Sequence, residues 1–344
     1  MRAPLERWKQ WRAILFAVAA GACLGLLFRY LLSGPRVDNI HVPLMNVLAP
    51  IVSISFLAVV PFAMGYLSVS EYLRSTAFEE IRLYKWFFLP LGSVVLSMLI
   101  SILVKWEGRI CLVFAAPIMF LFSLLGGFAA RIMWGKLRDR APGRLSALAL
   151  PLLLLLIEGH VPNPYEIRTV RTEILIHAPA SAVWSNIKSV RLIQPTELPQ
   201  SWVGQAGFPR PLAATLSHEG VGGVRQASFS GGLVFTETVN LWEPDEDLRF
   251  SIRANTDLIP KSTLDEHVAI GGAFFDVLDG EYTLEQRPNG ILLHLASRER
   301  LSTHVNPYAG AWTDAVMKAI QDQILVVIRE RAERESSGIE SARD

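Results

Sequence analysis

The chain is poor in cysteine and carries almost no excess of charge. Its two cysteines, Cys23 and Cys111, both lie in apolar runs and predict neither a disulfide framework nor a zinc site. The formal net charge at pH 7 is only +1, which gives no global electrostatic reason for an acidic partner. We therefore expect no nucleic-acid partner.

Motifs for catalysis and cofactor binding are also missing. The sequence contains no HExxH zinc motif, no GxSxG nucleophile elbow and no phosphate loop ending in Lys-Ser or Lys-Thr. The glycine-rich residues 220–223 lack the context of a phosphate loop and predict a turn. The seven histidines are scattered along the chain: His41, His160, His177, His218, His267, His294 and His304. We assign no catalytic residue and expect no metal and no cofactor.

Two weaker patterns leave alternatives open. A group of acidic side chains and one histidine offers oxygen ligands for a hard metal ion, although a solvated acidic loop is the favoured interpretation. This group comprises Asp265, Glu266, His267, Asp276 and Asp279. His294 lies in a strand-like segment, where a cavity-facing acid or base is an alternative to the favoured satisfied or surface histidine.

Apolar sequence, by contrast, is abundant. Hydrophobic residues make up 51% of the chain and the mean hydropathy is +0.32, with the excess concentrated before residue 158. Four runs, at residues 14–32, 44–69, 86–104 and 110–134, are long enough to cross a bilayer as helices. A cleaved secretory signal is an alternative for the first run, but its apolar stretch continues through Phe28 and favours a retained helix. We predict an all-α transmembrane bundle over residues 1–159.

A fifth apolar run, at residues 145–157, is shorter than the roughly 17 residues that usually cross a membrane. It is either a span extended to residue 161 or an amphipathic or re-entrant segment. Twelve Lys and Arg residues lie before the first span, between the second and third, and after the fourth (with Arg131 at its end), against four in the intervening loops (with Arg29 at the end of the first span). This bias predicts a cytoplasmic N-terminus in a multi-pass cell-membrane protein. A fifth span would then place the C-terminal domain on the non-cytoplasmic face.

The apolar half is typical of a membrane anchor. Its predicted span interiors hold no charged residue of the kind that marks a transport path. Gly21 and Gly25 form a small-residue pair that permits close helix packing, either within the bundle or in a dimer. Packing within the bundle is the favoured interpretation.

The remaining sequence predicts a separate domain. Residues 160–167 contain two prolines and form a linker, residues 168–335 form the domain, and residues 336–344 form a polar tail. Val170, Thr172, Ile174 and Ile176 alternate as in a strand with one buried face. Pro179 then breaks the strand, and a helix with a buried Trp184 follows.

Further strands follow at short intervals. Runs at residues 213–217, 224–230, 233–242, 248–254, 280–286 and 291–301 alternate in the same way, with the last pair joined by Asn289-Gly290, a strong turn signal. Residues 307–334 show helical periodicity, with Asn306 as the predicted N-cap. The order is therefore strand, helix, antiparallel strands and one long helix, an α+β architecture.

This C-terminal half resembles the START-like helix-grip superfamily, which includes polyketide cyclase/dehydrase and lipid-transport proteins (SRPBCC). The resemblance rests on the Ala-Pro-Ala turn leading to Trp184, on Glu237, Val239, Trp242 and Pro244 followed by Leu248-Arg249-Phe250, and on the last helix. It implies a curved antiparallel sheet around that helix, enclosing an apolar cavity. Residues 191–211 and 255–273 exceed the family pattern and are either lids or loops.

The apolar residues predicted to line the cavity come from the irregular segment, the strands and the last helix. They are Trp202, Phe235, Phe250, Phe274, Tyr282, Trp312, Val316 and Ile320. Each is alternatively part of a filled core, because a stripe of apolar residues does not distinguish the two. We expect a membrane-anchored domain that binds or transfers a hydrophobic small molecule or lipid, with the bilayer as a partner. An enzyme of the cyclase or hydratase type and a structural domain without ligand are the alternatives.

Overall fold

The computed structural model describes residues 4–33, 52–75, 83–137, 142–255 and 270–341. The chain divides into two compact units, Met1–Asn163 and Pro164–Asp344. The boundary between them falls inside the segment predicted as a linker. Each unit has its own core and is described separately.

The first unit is helical. Its helices are α1 (Pro4–Ser33), α2 (Val60–Ser75, preceded by a π-helical turn at Ser55–Val59), α3 (Leu83–Leu103), α4 (Arg109–Leu137) and α5 (Pro142–Glu158). Four helical segments of the described chain are long and apolar enough to cross a membrane: Trp8–Leu32, Ser55–Ser75, Tyr84–Leu103 and Ile110–Trp134. They match the four predicted spans, although residues 44–51 of the second prediction lie outside the described residues.

The helices of this unit run in alternating directions. Residues from the start of α1, the end of α2, the start of α3 and the end of α4 form one apolar cluster, which contains Ala17, Tyr72, Leu89 and Ala130. At the opposite end, Arg29 near the end of α1 forms an ion pair with Glu107, just before α4. These contacts define the two ends of the bundle.

α5 runs from the first end to the second. It follows α4, and its last residue is Glu158. The carboxylate oxygens of Glu158 accept hydrogen bonds from the backbone N–H groups of Ile54 (2.8 Å) and Ser55 (2.7 Å), where the helical segment leading into α2 begins. A carboxylate at this position satisfies helix N–H groups that have no partner in the helix. The Glu158 carboxylate therefore has a structural role at the start of this helical segment.

Small residues allow the helices to approach closely. A Cβ added to Gly21 would lie 2.6 Å from Ser93 Oγ, and one added to Gly25 would lie 2.6 Å from the sulfur of Met64. A Cβ on Gly65 would lie 1.9 Å from the carbonyl oxygen of Ser123. The prediction that Gly21 and Gly25 pack inside the bundle is confirmed.

The second unit contains one curved seven-stranded antiparallel sheet in the order β1-β7-β6-β5-β4-β3-β2. The strands are β1 (Glu166–Ile176), β2 (Pro211–Leu216), β3 (Val224–Phe229), β4 (Val234–Glu243), β5 (Asp247–Asn255), β6 (Phe275–Arg287) and β7 (Gly290–Leu301). Helices α6 (Ala180–Lys188) and α7 (Trp202–Ala206) follow β1, and α8 (Asn306–Ser341) closes the chain. Because α8 packs along β1 and β7, the unit is a helix-grip domain, as predicted.

The core of this unit lies on the concave face of the sheet. Leu248, Phe250 and Leu293 point inward and pack with Leu325 and Ile328 from the C-terminal half of α8. The predicted buried tryptophan, Trp184 on α6, is 6% exposed; its ring lies 5.1 Å from that of Trp242 in an edge-to-face arrangement. Such aromatic pairs stabilise a core beyond their buried area.

Several predicted boundaries and one predicted helix cap differ from the structure. β6 begins at Phe275 rather than near residue 280, because Phe275 already pairs with Leu301 on β7. Asn306 is not used as a forward N-cap: its Oδ1 accepts hydrogen bonds from the backbone N–H (2.8 Å) and the hydroxyl (2.9 Å) of Thr303. Its side chain therefore stabilises the turn before α8. The helix itself continues to Ser341, beyond the predicted residue 334.

Candidate functional site

The concave face of the sheet is closed at one end and open at the other. On β5, the inward residues Leu248 and Phe250 are buried, whereas Ile252 and Ala254, farther along the same face, are partly exposed. On β4, which runs antiparallel to β5, burial decreases toward the same end of the sheet, from buried Val239 to partly exposed Phe235. The inward surface is therefore apolar and less buried toward one end, which we call the open end or mouth of the concave face.

The open end contains the first residue of β1 and the first turns of α8. Glu166 and Phe275 both pair with Leu301 at the end of β7, and α8 begins five residues after Leu301. Trp312, Val316 and Ile320 belong to this N-terminal part of α8. The concave mouth and the entry of the chain into this unit are therefore at the same end of the sheet.

The structure places the predicted lining residues at three levels. Phe250 and Tyr282 lie deep in the core, each 3% exposed, with ring centroids 6.1 Å apart. Phe235 packs against the cluster of Val190, Ile193, Ala214, Ala227 and Val327. Near the open end, Val316 is buried at 8% exposed, whereas Phe274, Trp312 and Ile320 are partly exposed. Trp202 lies at the start of α7, which packs against α8, and is 42% exposed.

A buried ion pair lies on the concave face and was not predicted. Arg225 on β3 and Glu237 on β4 are paired in register, form a salt bridge and are 4% and 5% exposed. The Arg225 guanidinium carbon lies 5.5 Å from the ring centre of Phe250, and Tyr282 interacts with the same guanidinium. Arg225 Nε has no hydrogen-bond partner among the described residues. The apolar interior thus contains a cation with one donor free.

Burial dominates the electrostatics of this pair. Burial raises the pKa of Glu237, and the nearby Arg225 charge opposes the rise. Burial also raises the pKa of Tyr282. Burial alone lowers the pKa of Arg225, but Glu237 and Tyr282 more than offset it, so the pKa is raised. Arg225 therefore stays cationic, while Tyr282 stays neutral and is a hydrogen-bond donor.

Other polar side chains link the sheet to α8. Gln321 donates from Nε2 to Ser297 Oγ (2.6 Å) and accepts at Oε1 from Thr172 Oγ1 (3.0 Å). All three side chains are buried. Because every member has a partner, this network fixes α8 against β1 and β7 rather than offering a free group to a ligand.

A surface groove of about 480 Å³ lies at the other half of α8, lined by Arg191, Leu192, Glu197, Arg331, Arg334 and Glu335. Its arginines are paired with Glu197 or Glu335. The groove joins the segment before β2 to α8 and provides no unpaired cation for an anionic ligand.

The histidine and the acidic residues singled out in the sequence lie elsewhere. His294 is on the outer face of the sheet, with Nδ1 3.2 Å from Glu173 and Nε2 3.1 Å from Glu285, so it does not face the cavity. Asp279 forms an ion pair with Arg298. Residues 265–267 lie outside the described residues. Among the described residues, no group of three or more His, Cys, Asp and Glu side chains is arranged to hold a metal ion.

No family model and no curated protein matches this sequence. Solved structures with a similar arrangement include the di-domain ARO/CYC BexL from the BE-7585A biosynthetic pathway (14% identity, 61% of this chain and 61% of that one, TM-score 0.30). Others are a norcoclaurine synthase point mutant from Thalictrum (12%, 48% and 97%, 0.28) and an uncharacterized protein from Rhizobium leguminosarum (12%, 51% and 99%, 0.30). These scores are too low to support functional inference. The helix-grip assignment rests on the topology described above.

Proposed function

We propose that the C-terminal unit binds a hydrophobic molecule on the concave face of its sheet, and that the helical unit anchors it in a membrane from which this ligand is drawn. The observation that carries the proposal is the open end of the concave face. There, Ile252 and Ala254 on β5 point inward and are partly exposed, whereas Leu248 and Phe250 on the same face of the strand are buried.

On the same face, in the same row as Glu237 and Ile252, the buried Arg225 supplies the polar contact that a purely apolar pocket lacks. A buried guanidinium with a free Nε–H favours a ligand that carries a carbonyl, carboxylate or hydroxyl oxygen on an apolar body. A fatty acid, a lipid or a polyketide-like molecule has this chemistry. An apolar ligand without an oxygen would leave the Nε–H unsatisfied.

The chain connectivity suits a ligand that partitions into a bilayer. β1 begins at the open end, and only residues 159–165 separate it from α5. Seven extended residues span at most about 25 Å. With α5 as a fifth span and a cytoplasmic N-terminus, the binding unit lies on the non-cytoplasmic face.

An enzyme on the same fold is the second candidate, and the buried group of Arg225, Glu237 and Tyr282 is the observation that favours it. A cation and a phenol O–H next to an apolar ring could stabilise negative charge that develops on a bound carbonyl. Turnover of a hydrophobic substrate, rather than its recovery unchanged, would distinguish this candidate from a carrier.

The proposal is tested by purifying the full chain in lipid nanodiscs and in detergent, and identifying bound hydrophobes by native mass spectrometry with solvent extraction. We expect a stoichiometric oxygen-containing hydrophobe in the parent protein and its loss from the Ile252→Trp variant, which fills the mouth. The matched control is Ser251→Trp, on the exposed face of the same strand, which should retain the ligand. A parent protein that never carries a hydrophobe and takes up no added fatty acid supports a structural domain with a filled core.

A further inference from the structure

Glu299 on β7 is a carboxyl group in an unexpected place. It lies between the inward-facing, buried residues Ser297 and Leu301, and it is 0% exposed. Neither of its carboxylate oxygens has a hydrogen-bond partner of normal geometry among the described residues, although Thr313 and Asp314 on α8 lie close enough to affect its charge. Leaving a buried polar group unpaired is costly, and a charged one more so. The position therefore favours a neutral, protonated side chain.

A cation stands directly opposite but is used elsewhere. Arg168 on β1 is the register partner of Glu299, yet its guanidinium reaches α8, with Nε 2.9 Å from Asp314 Oδ1 and Nη2 2.5 Å from Asp314 Oδ2. A Cβ added to Gly310 would lie 2.7 Å from the guanidinium carbon, so no larger side chain fits there without a shift. Arg168 thus fastens the N-terminal part of α8 to the sheet.

The charged surroundings of Glu299 come from two elements. α8 presents Asp314, next to Thr313, and β1 presents Arg168, which is also paired with Glu166. The neighbour on β6 is the apolar Val277. Burial raises the pKa of Glu299 to about 7; Asp314 also raises it, whereas Thr313 and Arg168 oppose the rise.

We propose that Glu299, Arg168 and Asp314 form a proton-controlled latch that holds the N-terminal half of α8 over the open end of the concave face. With Glu299 protonated, Arg168 pairs with Asp314 and the helix is held. Loss of the proton places a second negative charge beside Asp314, in a buried site, and makes Glu299 a competitor for Arg168. The helix contact is then weakened.

The latch acts on the residues that form the mouth. Trp312, Val316 and Ile320 lie on the half of α8 that Arg168 fastens, whereas Leu325 and Ile328 hold the other half in the core. Loosening only the first half would widen the open end without unfolding the unit. As a control of ligand entry, the latch rests on the proposed function; the movement of α8 itself requires no ligand.

Hydrogen exchange on the full chain in lipid nanodiscs tests the latch. Protection factors of peptides covering residues 306–320 are compared at pH 5 and pH 7. The pKa of Glu299 is about 7 when the helix is held and has its ordinary value of about 4.5 when the helix is released. Because the released state loses the proton more readily, raising the pH from 5 to 7 favours release. We expect protection to fall on the order of 30-fold.

Three variants separate the latch from a general effect of pH. Glu299→Gln and Glu299→Leu cannot ionise, so both should keep residues 306–320 protected at pH 7. Glu281→Gln, on the exposed face of β6, should behave as the parent does. The proposal is overturned if the parent shows equal protection at both pH values, or if the loss persists in both Glu299 variants. If protection of residues 306–320 falls between pH 5 and pH 7 but the protein binds no hydrophobe, the proposed function alone is overturned. If the protein binds a hydrophobe but protection is the same at both pH values, the latch alone is overturned.

Discussion

Arg331 on α8 donates hydrogen bonds to both carboxylate oxygens of Glu197, 134 residues earlier in the chain, with N···O distances of 2.9 and 2.8 Å. The same guanidinium donates to the carbonyl oxygens of Arg191 (3.0 Å) and Leu192 (3.1 Å). One side chain therefore holds the irregular segment before β2 against the last helix. We predicted this segment, residues 191–211, to be either a lid or a loop; Arg331 fixes its first part against α8.

We expect Arg331→Met to lower the free energy of unfolding by about 2–4 kcal/mol, because it removes the buried guanidinium that donates to both oxygens of Glu197 and to two carbonyl groups. Arg334→Ala is the matched control. Arg334 contacts the same carboxylate from a side chain that is 63% exposed, and its loss should cost less than about 1 kcal/mol. Denaturant titration of the full chain followed by tryptophan fluorescence measures both. We call the contacts of Arg331 with Glu197, Arg191 and Leu192 the clamp. Equal effects of the two substitutions would contradict a clamp centred on Arg331.

The clamp also has a predictable acid response. The Arg331 hydrogen bonds lower the pKa of Glu197 to about 2, against the opposing effect of burial. A carboxyl whose pKa is lower in the folded state stabilises the fold above its ordinary pKa and loses that contribution as pH falls toward 2. The parent protein should therefore lose more stability between pH 4.5 and pH 2 than Glu197→Gln does. Parallel stability curves for the two proteins would exclude this contribution.

The fold was largely predictable because its signals are local. Alternation marked the strands, Asn289-Gly290 marked the last hairpin, and Gly290 adopts a φ of 136° there. By contrast, the pairing of Glu197 with Arg331 joins residues far apart in sequence, and no local pattern indicates it.

The polar side chains of the site could be predicted only in part. Arg225 and Glu237 occupy inward positions of the strand alternation, so the sequence itself indicates that both side chains are buried. Glu299 has no ion-pair partner because its register neighbour Arg168 pairs with Asp314 on α8 rather than with Glu299. The packing of α8 determines this choice, and no local sequence pattern indicates it. The open end could not be predicted, because apolar residues lining a mouth and filling a core have the same spacing.

The buried ion pair allows stability and binding to be separated. Glu237→Gln alone should cost about 3 kcal/mol or more, because Arg225 remains buried without a counter-ion. Replacing both residues with Arg225→Met and Glu237→Leu should restore most of the stability, since apolar side chains of similar size often substitute well for buried pairs. If Arg225 contacts the ligand, the double variant should melt normally and still lose the co-purified hydrophobe in mass spectrometry.

The exposed pair Arg249–Glu281, on the outer face of the sheet, provides the control for this experiment. The corresponding double replacement, Arg249→Met with Glu281→Leu, should change stability by less than about 1 kcal/mol and should not change ligand content. Ligand retained in the Arg225/Glu237 double variant would show that the ion pair serves the fold only.

The direction of α5 leads to a prediction about topology. Because this helix runs to the end of the bundle opposite the Lys- and Arg-rich one, a periplasmic-type reporter fused after Asp344 should be active, and a cytoplasmic-type reporter should not. Fusions after Leu137, before α5, should show the reverse. The same reporter activity at both positions would mean that α5 does not cross the membrane.

Trp substitutions on α8 distinguish an open pocket from a filled core. Val316→Trp and Ile320→Trp place a large side chain at the open end; if that end is a pocket, the melting temperature should hold or rise while the co-purified hydrophobe is lost. Val327→Trp is the matched control. Val327 is 1% exposed and packs with Val190, Ile193 and Ala227, so the same change should overpack the core and cost about 1–3 kcal/mol. Thermal unfolding and ligand content are measured on the same preparations of the full chain. If all three variants lose similar stability and the parent carries no hydrophobe, the space beneath α8 is filled core and the binding proposal is abandoned.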